Sequence, residues 1–564
     1  MDDTQPTDRS ARWLWIILPV AAVMLFAGWW TFRFLCDDAY IAFRYIGNRH
    51  LGWGYTWNPP PFRPVEGYTS FLWVALLDAI WTLTGQDPPA TANTVSLVFA
   101  AGSVALTAAM AWSSAGRAWM GARAGMVALV LWGVLTNRTF LTWTTSGLET
   151  PLFVFLVLLW TWIALYARRG AAWPFALMGT TALVALTRPD GLLYMAAALV
   201  MFAAEAWRRG PKWRDLVGLT PLLLIVAHLL WRHATYGAWL PNTYYAKTLG
   251  AWWPRAGLTY LALFALQYMW WLWLPVAFMA WRTRRKQGPY NVREHTASIV
   301  AVLTLMAEIA YYTVVTGGDH FEFRVFAHLP PLLFVALAVL ADRAQIRRSR
   351  QVMIFLGFTA VGWIIPWTDW ASQRATTDRD HIFRLDTRIE GTLWPLWPYV
   401  WVAEEFQSWL VDQSICAPWQ THKWFAISQA GMMPSRPDSL EFAGPDDWAE
   451  DASGPTAFPV TVVSSVGVIG WRLPYVAVID ELGLNDYVVA RTPIPPDRAW
   501  RMAHTRRPPA GYTACFAPDV TATEGPRLKD RKAEVTADSI RACEDLWWGK
   551  TDRGELPNKA AKGD

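Results

Sequence analysis

Long apolar segments recur along the first 368 residues, separated by short polar stretches that carry most of the charged side chains. A helix needs about 20 apolar residues to cross a membrane, so several of the segments are short for a span. The pattern nevertheless predicts a polytopic α-helical membrane protein with about eleven transmembrane helices. The predicted spans are 13–32, 91–112, 124–141, 150–167, 173–187, 190–207, 215–234, 256–281, 297–316, 326–341 and 352–368.

Basic residues cluster in alternate loops, which all lie on one side of the predicted membrane. The positive-inside rule makes this side cytoplasmic and places the N-terminus inside. The first helix has no small-residue cleavage motif before Asp37, so we expect it to be retained and not removed as a signal peptide. The basic clusters are Arg117 and Arg123; Arg168 and Arg169; Arg208, Arg209, Lys212 and Arg214; Arg282, Arg284, Arg285 and Lys286; and Arg343, Arg347, Arg348 and Arg350.

One apolar stretch, 71–83, is too short for a span and contains Asp78. We interpret it as a re-entrant or interfacial helix within the first outer loop, residues 33–90. Counting it as a twelfth span would move the later basic clusters to the outer side, which the charge pattern opposes. Residues 1–368 are therefore predicted to form a transmembrane module with its N-terminus in the cytoplasm.

The pattern changes at residue 369, after which the chain is polar and rich in Pro and Gly. TAFPVTVVSSVGVIG and YVAVIDEL alternate as strands do, whereas QRATTDRDHIFRLDTRIEGTLW and QSWLVDQSIC favour helices. The length suits one globular domain. Residues 369–564 are predicted to be a C-terminal extracytoplasmic α/β domain, outside the plasma membrane.

Composition agrees with a membrane protein, since 54% of the residues are hydrophobic and only 17% are charged. The net charge of +5 is dispersed in short loops, which argues against a nucleic-acid partner. The 39 Trp residues suit aromatic belts at the membrane surface or stacking on sugars. Among four Cys residues, Cys515 and Cys543 are the favoured disulfide pair in an oxidising compartment, with free buried thiols as the alternative.

An acidic doublet, Asp37-Asp38, directly follows the first predicted span. Ionisable residues at a membrane boundary are costly, so the doublet is a candidate catalytic site. A carboxylate there could act as general base on a sugar hydroxyl. Adjacent side chains point in different directions, so one acid could catalyse while the other caps a helix or pairs with Arg44.

Further charged candidates lie in the outer loops. A lipid-linked phosphate needs cations near the membrane surface, and Arg offers it two parallel hydrogen bonds. Helix capping is the alternative for the acids, and anchoring at the membrane surface is the alternative for the cations. The predicted donor-phosphate and sugar-binding residues are Arg44, Glu66, Glu149, Arg188, Lys247, Asp319, His320 and Arg324.

Cofactor signals are weak. His320 follows Asp319 but no third ligand has a recognisable spacing, so a divalent metal stays possible and its ligands unknown. Phosphate-binding loops, dinucleotide fingerprints and serine-nucleophile elbows are absent from the sequence. An enzyme outside the cytoplasm has no supply of nucleotide sugars, and this favours a lipid-carried donor.

Six motifs in order along the chain carry a family resemblance: DDAYIAFRY (37–45), VEGYTSFLW (65–73), TSGLETPLF (145–153), RPDGLL (188–193), LPNTYYAK (240–247) and GGDHFEFRVFAHLPP (317–331). VIDELGLNDYVVA (478–490) and AHTRRPPAGY (503–512) have the same look in the outer domain. With these motifs the sequence resembles the GT-C glycosyltransferases that use polyprenyl-phosphate sugars. It looks closest to the bacterial and mycobacterial terminal arabinofuranosyltransferases of the cell wall.

This resemblance implies a GT-C fold, catalysis at Asp37 and Asp38, and a decaprenyl- or undecaprenyl-phospho-arabinofuranose donor. It also implies a cell-envelope glycan as acceptor, reached through the outer domain. AHTRRPPAGY stands where relatives often carry a shorter Gly-His-acid-Lys stretch, which leaves the acceptor open. A simple base mechanism predicts inversion at the anomeric carbon, whereas retention would require Asp as nucleophile or cation stabiliser.

A transporter of lipid-linked glycans with an outer binding domain is the rival hypothesis. Transporters usually hold their ionisable residues near the membrane midplane in broken helices. Here the candidates lie at one face, and Glu308 is an exception within a predicted helix. The sequence therefore favours the enzyme.

Overall fold

A computed structural model describes residues 9–210, 212–248, 252–286, 295–374, 419–432, 458–494, 504–521, 527–528 and 535–556. Helices dominate the described chain up to residue 374, as the apolar periodicity predicts. They are α1 (Leu14–Phe32), α2 (Asp37–His50), α3 (Phe71–Thr84), α4 (Pro88–Ser114), α5 (Arg123–Leu135), α6 (Arg138–Thr142), α7 (Thr150–Leu165), α8 (Trp173–Thr187), α9 (Leu192–Arg209), α10 (Leu223–Tyr236), α11 (Asn242–Thr248), α12 (Pro254–Gln267), α13 (Trp273–Arg285), α14 (Thr296–Ala310), α15 (Leu329–Arg343) and α16 (Arg348–Arg374).

Six helical segments among the described residues are long and apolar enough to cross a membrane, or seven if the bent pair α12–α13 counts as one span. The two helices of that pair meet at 67°, so the predicted straight span 256–281 is broken. Helices α3, α5, α7 and α8 are apolar but shorter. The chain is thus a multi-pass membrane protein, while the predicted count of eleven spans is not confirmed.

Large apolar side chains on the outside of the bundle are those expected to face lipid. On α1, Trp15 is 86% exposed and Val23 is 69% exposed, whereas Phe32 at the end of the helix is completely buried. Inside the bundle α4 packs along α7. The largest cluster of buried apolar residues also contains Val463, Trp471 and Val478 from the C-terminal part of the chain. This part therefore packs directly on the transmembrane module.

Helix α3 covers the apolar stretch predicted to be re-entrant or interfacial. Its Asp78 is buried, and the carboxylate accepts hydrogen bonds from Arg49 at 2.8 Å and from the hydroxyl of Tyr55. The Nε2 atom of His50 lies 2.9 Å from the same carboxylate. Since these partners lie on α2 and on the loop that follows it, Asp78 fastens α3 to α2.

The C-terminal part contains helices α17 (Trp419–Met432), α18 (Gly467–Arg472) and α19 (Ala537–Asp552), and strands β1 (Val460–Val463), β2 (Ala477–Asp480), β3 (Val520–Thr521) and β4 (Arg527–Leu528). β1 and β2 pair in parallel with Val460 opposite Ala477, and α18 forms the crossover between them. β3 and β4 pair in antiparallel fashion. Cys515 and Cys543 form the favoured disulfide.

Two predictions for this part need comment. The end of TAFPVTVVSSVGVIG was expected to continue as a strand, but Gly467–Arg472 is a helix. Its apolar residues pack on α2, and tertiary contacts of this kind override local strand propensity. The helices predicted in QRATTDRDHIFRLDTRIEGTLW and QSWLVDQSIC lie outside the described residues, apart from the end of α16.

Candidate active site

The acidic doublet is held in place by the segment that precedes it. Leu35 pairs with Ser146 in a parallel bridge, where the amide of Cys36 donates to the Ser146 carbonyl at 3.1 Å. Gly147 follows with a φ of +77°, and a Cβ atom there would lie 2.7 Å from the Leu35 side chain and 3.0 Å from the Cβ atom of Ala39. A glycine is therefore required for the TSGLETP loop to approach the start of α2.

Asp37 is occupied by the backbone of α18. Its carboxylate accepts hydrogen bonds from the amides of Val468 at 2.7 Å and Gly467 at 3.2 Å. Burial raises the pKa of Asp37 to about 6 in spite of these two bonds. A Cβ atom on Gly467 would lie 1.9 Å from the Asp37 carbonyl oxygen, so the glycine permits this contact. Asp37 thus caps α18 and joins it to α2.

Asp38 points the other way and lines a cavity of about 170 Å³. Its Oδ2 atom lies 3.7 Å from the Nε2 atom of His320. Burial opposes its ionisation, but His320, Arg324 and Lys247 outweigh that effect and lower its pKa below the ordinary value. Asp38 is therefore the member of the doublet that presents an ionised carboxylate to the cavity.

Five of the other predicted site residues line the same cavity. They come from three separate loops and from α11, so the structure brings together positions almost 290 residues apart, from Asp38 to Arg324. His320 adjoins the cavity through its contact with Asp38. The five residues are Glu149, Arg188, Lys247, Asp319 and Arg324.

The GGDHFEFR loop forms one wall. Arg324 donates to both oxygens of Asp319, at 2.7 and 3.3 Å, and its guanidinium lies 4.3 Å from the centre of the Phe321 ring. The Nδ1 atom of His320 lies 3.4 Å from the Oδ1 atom of Asp319. Burial alone would raise the pKa of Asp319, but Arg324 and His320 lower it well below its ordinary range. This wall is therefore a fixed arrangement of charges.

Arg188 forms a second charged cluster at the cavity. It donates to Asp190 at 3.1 Å, lies 3.7 Å from Glu149 and contacts the hydroxyl of Tyr312. That hydroxyl donates to Asp190 at 2.8 Å. Tyr312 belongs to a π-helical turn, Tyr311–Thr316, and such turns are frequent at functional sites. The turn directs the Tyr312 side chain into the cluster.

Lys247 supplies the third cation of the cavity wall, from the last turn of α11. Burial and the nearby Arg324 lower its pKa from the ordinary value, while Asp319 and Asp38 act in the opposite direction. An additional anion in the cavity would stabilise its charged form. The site therefore contains three cations around Asp38, whose side chain is 29% exposed, compared with 11% for Glu149.

Arg44 lies elsewhere, contrary to the expectation of a donor-binding role. It is 1% exposed and donates to the carbonyls of Trp57 at 2.7 Å, Gly470 at 2.5 Å, Leu473 at 3.1 Å and Val476 at 2.8 Å. These carbonyls belong to the loop after α2 and to the chain at and after α18. Arg44 thus ties the C-terminal part to α2.

Glu66 is also outside the cavity. Arg232 of α10 donates to its two oxygens at 2.5 and 3.2 Å, and both side chains are buried. Gly67 lines the cavity instead, and a Cβ atom there would clash with Asn485 at 1.7 Å. Glu66 therefore anchors the VEGYTSFLW motif without facing the cavity.

Sequence reasoning missed two contributors. Tyr312 carried no signal, because a π-helical turn cannot be read from apolar periodicity. His422 of α17 lies beside His320, with ring centres 5.5 Å apart, and burial lowers its pKa to about 3. Its neighbours are distant in sequence, so only the fold reveals it. Among the described residues, no group of three or more His, Cys, Asp or Glu side chains is arranged to hold a metal ion.

Known proteins are similar to this chain in sequence and in fold. No protein-family model matches the chain. It is 30% identical over 400 residues to a protein of Mycobacterium tuberculosis named terminal beta-(1->2)-arabinofuranosyltransferase, a match covering 64% of this chain and 61% of that protein. A protein of the same name from Corynebacterium glutamicum is 26% identical over 355 residues, covering 56% and 49%. The matches thus span less than two thirds of either relative.

The fold is similar to that of ArnT from Cupriavidus metallidurans, whose crystal structure contains bound undecaprenyl phosphate. The two share 12% identity with a TM-score of 0.50, covering 85% of this chain and 88% of ArnT. This likeness establishes the ArnT-like GT-C fold. The predicted resemblance to terminal arabinofuranosyltransferases is confirmed by the two relatives.

Proposed function

We propose that the chain is a membrane glycosyltransferase that moves a sugar, arabinofuranose, from a polyprenyl-phosphate donor to a cell-envelope glycan. The observation that carries the proposal is the cavity that Asp38 lines together with Arg188, Lys247 and Arg324. A glycosyl phosphate places an electrophilic carbon beside an anion, and a site for it needs a carboxylate next to cations. The names of the two relatives support arabinofuranose as the sugar.

The three cations are proposed to hold the donor phosphate. Arg188 and Arg324 are fixed by their carboxylate partners, so their guanidinium groups need little reordering on binding. Lys247 stands within electrostatic reach of both. Negative charge builds up on the phosphate as the bond to the sugar breaks, and preorganised cations stabilise that charge. The undecaprenyl phosphate bound to ArnT supports a polyprenyl carrier here.

Asp38 is proposed to act on the sugar or on the acceptor. As a general base it takes the proton of the acceptor hydroxyl while that oxygen attacks the anomeric carbon, and the phosphate leaves with the bonding electrons. As a nucleophile or cation stabiliser it would act on the anomeric carbon itself. Both roles need an ionised carboxylate, which the lowered pKa of Asp38 provides. Glu149, Asp319 and His320 are proposed to position sugar, cations and Asp38.

The reaction is proposed to take place at the outer face of the plasma membrane, with the N-terminus in the cytoplasm and the C-terminal domain outside. The support is the charge pattern, because the basic loop clusters lie on the side opposite the acidic doublet. The glycan acceptor would then meet the cavity from the side covered by the C-terminal domain.

The test is transfer from a synthetic polyprenyl-phospho-arabinofuranose to an arabinan oligosaccharide by the purified full chain. Asp38→Asn should lower kcat by about 10²–10⁴-fold, the usual contribution of a general base. Asp37→Asn is the matched control, since it alters the neighbouring carboxylate that α18 covers, and it should stay within a few-fold of wild type. Full activity of Asp38→Asn would overturn the assignment.

A second arm separates the enzyme from a transporter. Labelled donor is reconstituted in proteoliposomes without acceptor, and its movement between leaflets is measured. If the labelled donor moves between leaflets and no sugar is transferred when acceptor is then added, the result would support the transporter and contradict the proposal.

Lys247→Met should raise the donor KM by roughly tenfold, which corresponds to the loss of one charged hydrogen bond, and Lys247→Arg should restore most of the donor affinity.

A further inference from the structure

Helix α11 carries Lys247 and presents different residues on two sides. Thr243 and Lys247, which are one turn apart, line the cavity together with Tyr244. Residues at positions i and i+4 share a helix face, so the cavity face of α11 is defined by this pair. Asn242, Tyr245 and Ala246 make contacts with the C-terminal part of the chain.

The first of these contacts fixes the start of α11. The side-chain amide of Asn242 donates through Nδ2 to the carbonyls of Gly483 at 2.9 Å, Leu484 at 3.1 Å and Asp486 at 3.0 Å. Its backbone N–H donates to the carbonyl of Glu66 at 2.9 Å. The helix is therefore attached at its beginning to both the first outer loop and the C-terminal part.

The second contact is a stacked arginine. Arg491 donates to the Oδ1 atom of Asn242 at 2.8 Å. Its guanidinium lies 3.9 Å from the centre of the Tyr245 ring and 3.7 Å from the centre of the Tyr487 ring. A planar guanidinium between two rings is a geometry that Lys cannot reproduce. Arg491 thus joins the middle of α11 to the C-terminal part.

The third contact lies next to Lys247. Arg506, which is 3% exposed, donates through Nε to the carbonyl of Ala246 at 3.1 Å. It also donates to the carbonyl of Thr492. Arg506 belongs to the motif AHTRRPPAGY and is buried against α11. Its bond is to the residue that immediately precedes the cavity cation.

We propose that Arg491 and Arg506 are positioning residues that hold α11 so that Lys247 faces the donor phosphate. We call the two arginines the α11 clamp. The inference rests on the proposed function and adds to it that the C-terminal part of the chain completes the donor side of the site, not only the acceptor side. Neither arginine lines the cavity, and the bonds described above join them to Asn242 and Ala246 of α11 and to the C-terminal part itself.

The test measures donor KM, acceptor KM and kcat for Arg506→Gln and Arg506→Lys in the full chain. Arg506→Gln should raise the donor KM by roughly tenfold, the loss expected when one charged hydrogen bond is removed, with the acceptor KM unchanged. Arg506→Lys should recover part of the loss because an ammonium can still reach one carbonyl. Arg553→Gln, which breaks an exposed pair with Glu555, is the matched control and should leave all three constants unchanged.

A double-mutant cycle decides whether the effect passes through Lys247. In a Lys247→Met background Arg506→Gln should raise the donor KM no further, since no cation is left to position. Equal effects in both backgrounds, or an equal rise in the acceptor KM, would overturn the proposal. If Arg506→Gln does not fold, Arg491→Lys replaces it in the cycle with the same expectation. Absence of wild-type transfer would contradict the proposed function, whereas transfer with an additive cycle contradicts only the clamp.

Discussion

The Oδ2 atom of Asp38 lies 3.7 Å from the Nε2 atom of His320. The same imidazole approaches Asp319 through Nδ1 at 3.4 Å, and Asp319 is bound by Arg324. His320 thus stands between the carboxylate of the cavity and a fixed ion pair. His320 leads the groups that lower the pKa of Asp38 against burial, followed by Arg324 and Lys247, so it contributes to the pH at which Asp38 becomes ionised.

Replacing His320 with Gln should raise the pKa of Asp38. The acidic limb of the profile of kcat/KM against pH should then move to higher pH, and kcat/KM on that limb should fall roughly tenfold for each pKa unit of the shift. The measurement is the full pH profile of donor turnover. His233→Gln is a suitable control because His233 does not line the cavity, and its ring stacks on Trp239 with the ring centres 4.1 Å apart. An unmoved acidic limb in His320→Gln would contradict this role.

Glu66 and Arg232 form a buried ion pair outside the cavity, so their substitution should affect stability and not donor binding. Glu66→Gln leaves the Arg232 charge without its partner, and breaking a buried pair in this way costs roughly 3–5 kcal/mol of unfolding free energy. Tm should fall, while the donor KM of the folded protein should stay at the wild-type value.

The double variant Glu66→Leu with Arg232→Met provides the control for that prediction. It removes both charges together, and buried pairs replaced by apolar residues regain most of the lost stability. A raised donor KM in Glu66→Gln at unchanged Tm would instead return Glu66 to the donor site.

Arg44 should likewise be a structural residue. Arg44→Met removes one donor from four buried carbonyl groups, of which Trp57 keeps a bond from Asn48 and Leu473 keeps one from the Val476 amide. Each carbonyl that is left unpaired costs about 1–3 kcal/mol. We expect a marked fall in Tm and in the yield of folded protein. Arg44→Lys should be intermediate, since an ammonium cannot match the planar fork of the guanidinium. Normal Tm with a raised donor KM would contradict this assignment.

Sequence reasoning identified the loops of the site but not every role within them. Arg44 and Arg324 both look like cations at the outer face, and nothing local separates them. Their partners decide the difference. Arg324 binds Asp319 five residues away, whereas Arg44 binds carbonyls more than 400 residues further along the chain. Glu66 was misplaced for the same reason, because its partner Arg232 lies on α10.

The fold shows a similar division between local and distant information. Apolar periodicity located the helices, and alternation located β1 and β2. The 67° bend between α12 and α13 and the π-helical turn before Gly317 depend on packing around them, and periodicity carries no record of either. Alternation also predicted a strand where α18 forms. That prediction was wrong because Asp37 of α2 caps this short helix from a distant part of the chain.

Asp37 should reveal its role through the pH dependence of stability. Burial raises its pKa from 3.8 to about 6, so the folded protein keeps this proton to a higher pH than the unfolded chain does. Ionisation therefore lowers stability as the pH rises from about 4 to about 6, and the cost is complete above that range. The Asn side chain of Asp37→Asn cannot titrate, so the Tm of the variant minus that of wild type should increase by a few degrees over the same interval. A constant loss of Tm from one weakened bond to α18 is added to this change at every pH.

Asp38→Asn should show no such increase, because the pKa of Asp38 is lowered and its ionised form already prevails across this range. Thermal unfolding of wild type and both variants at several pH values in one detergent measures the difference, and a Tm difference for Asp37→Asn that is independent of pH would refute the buried-cap interpretation.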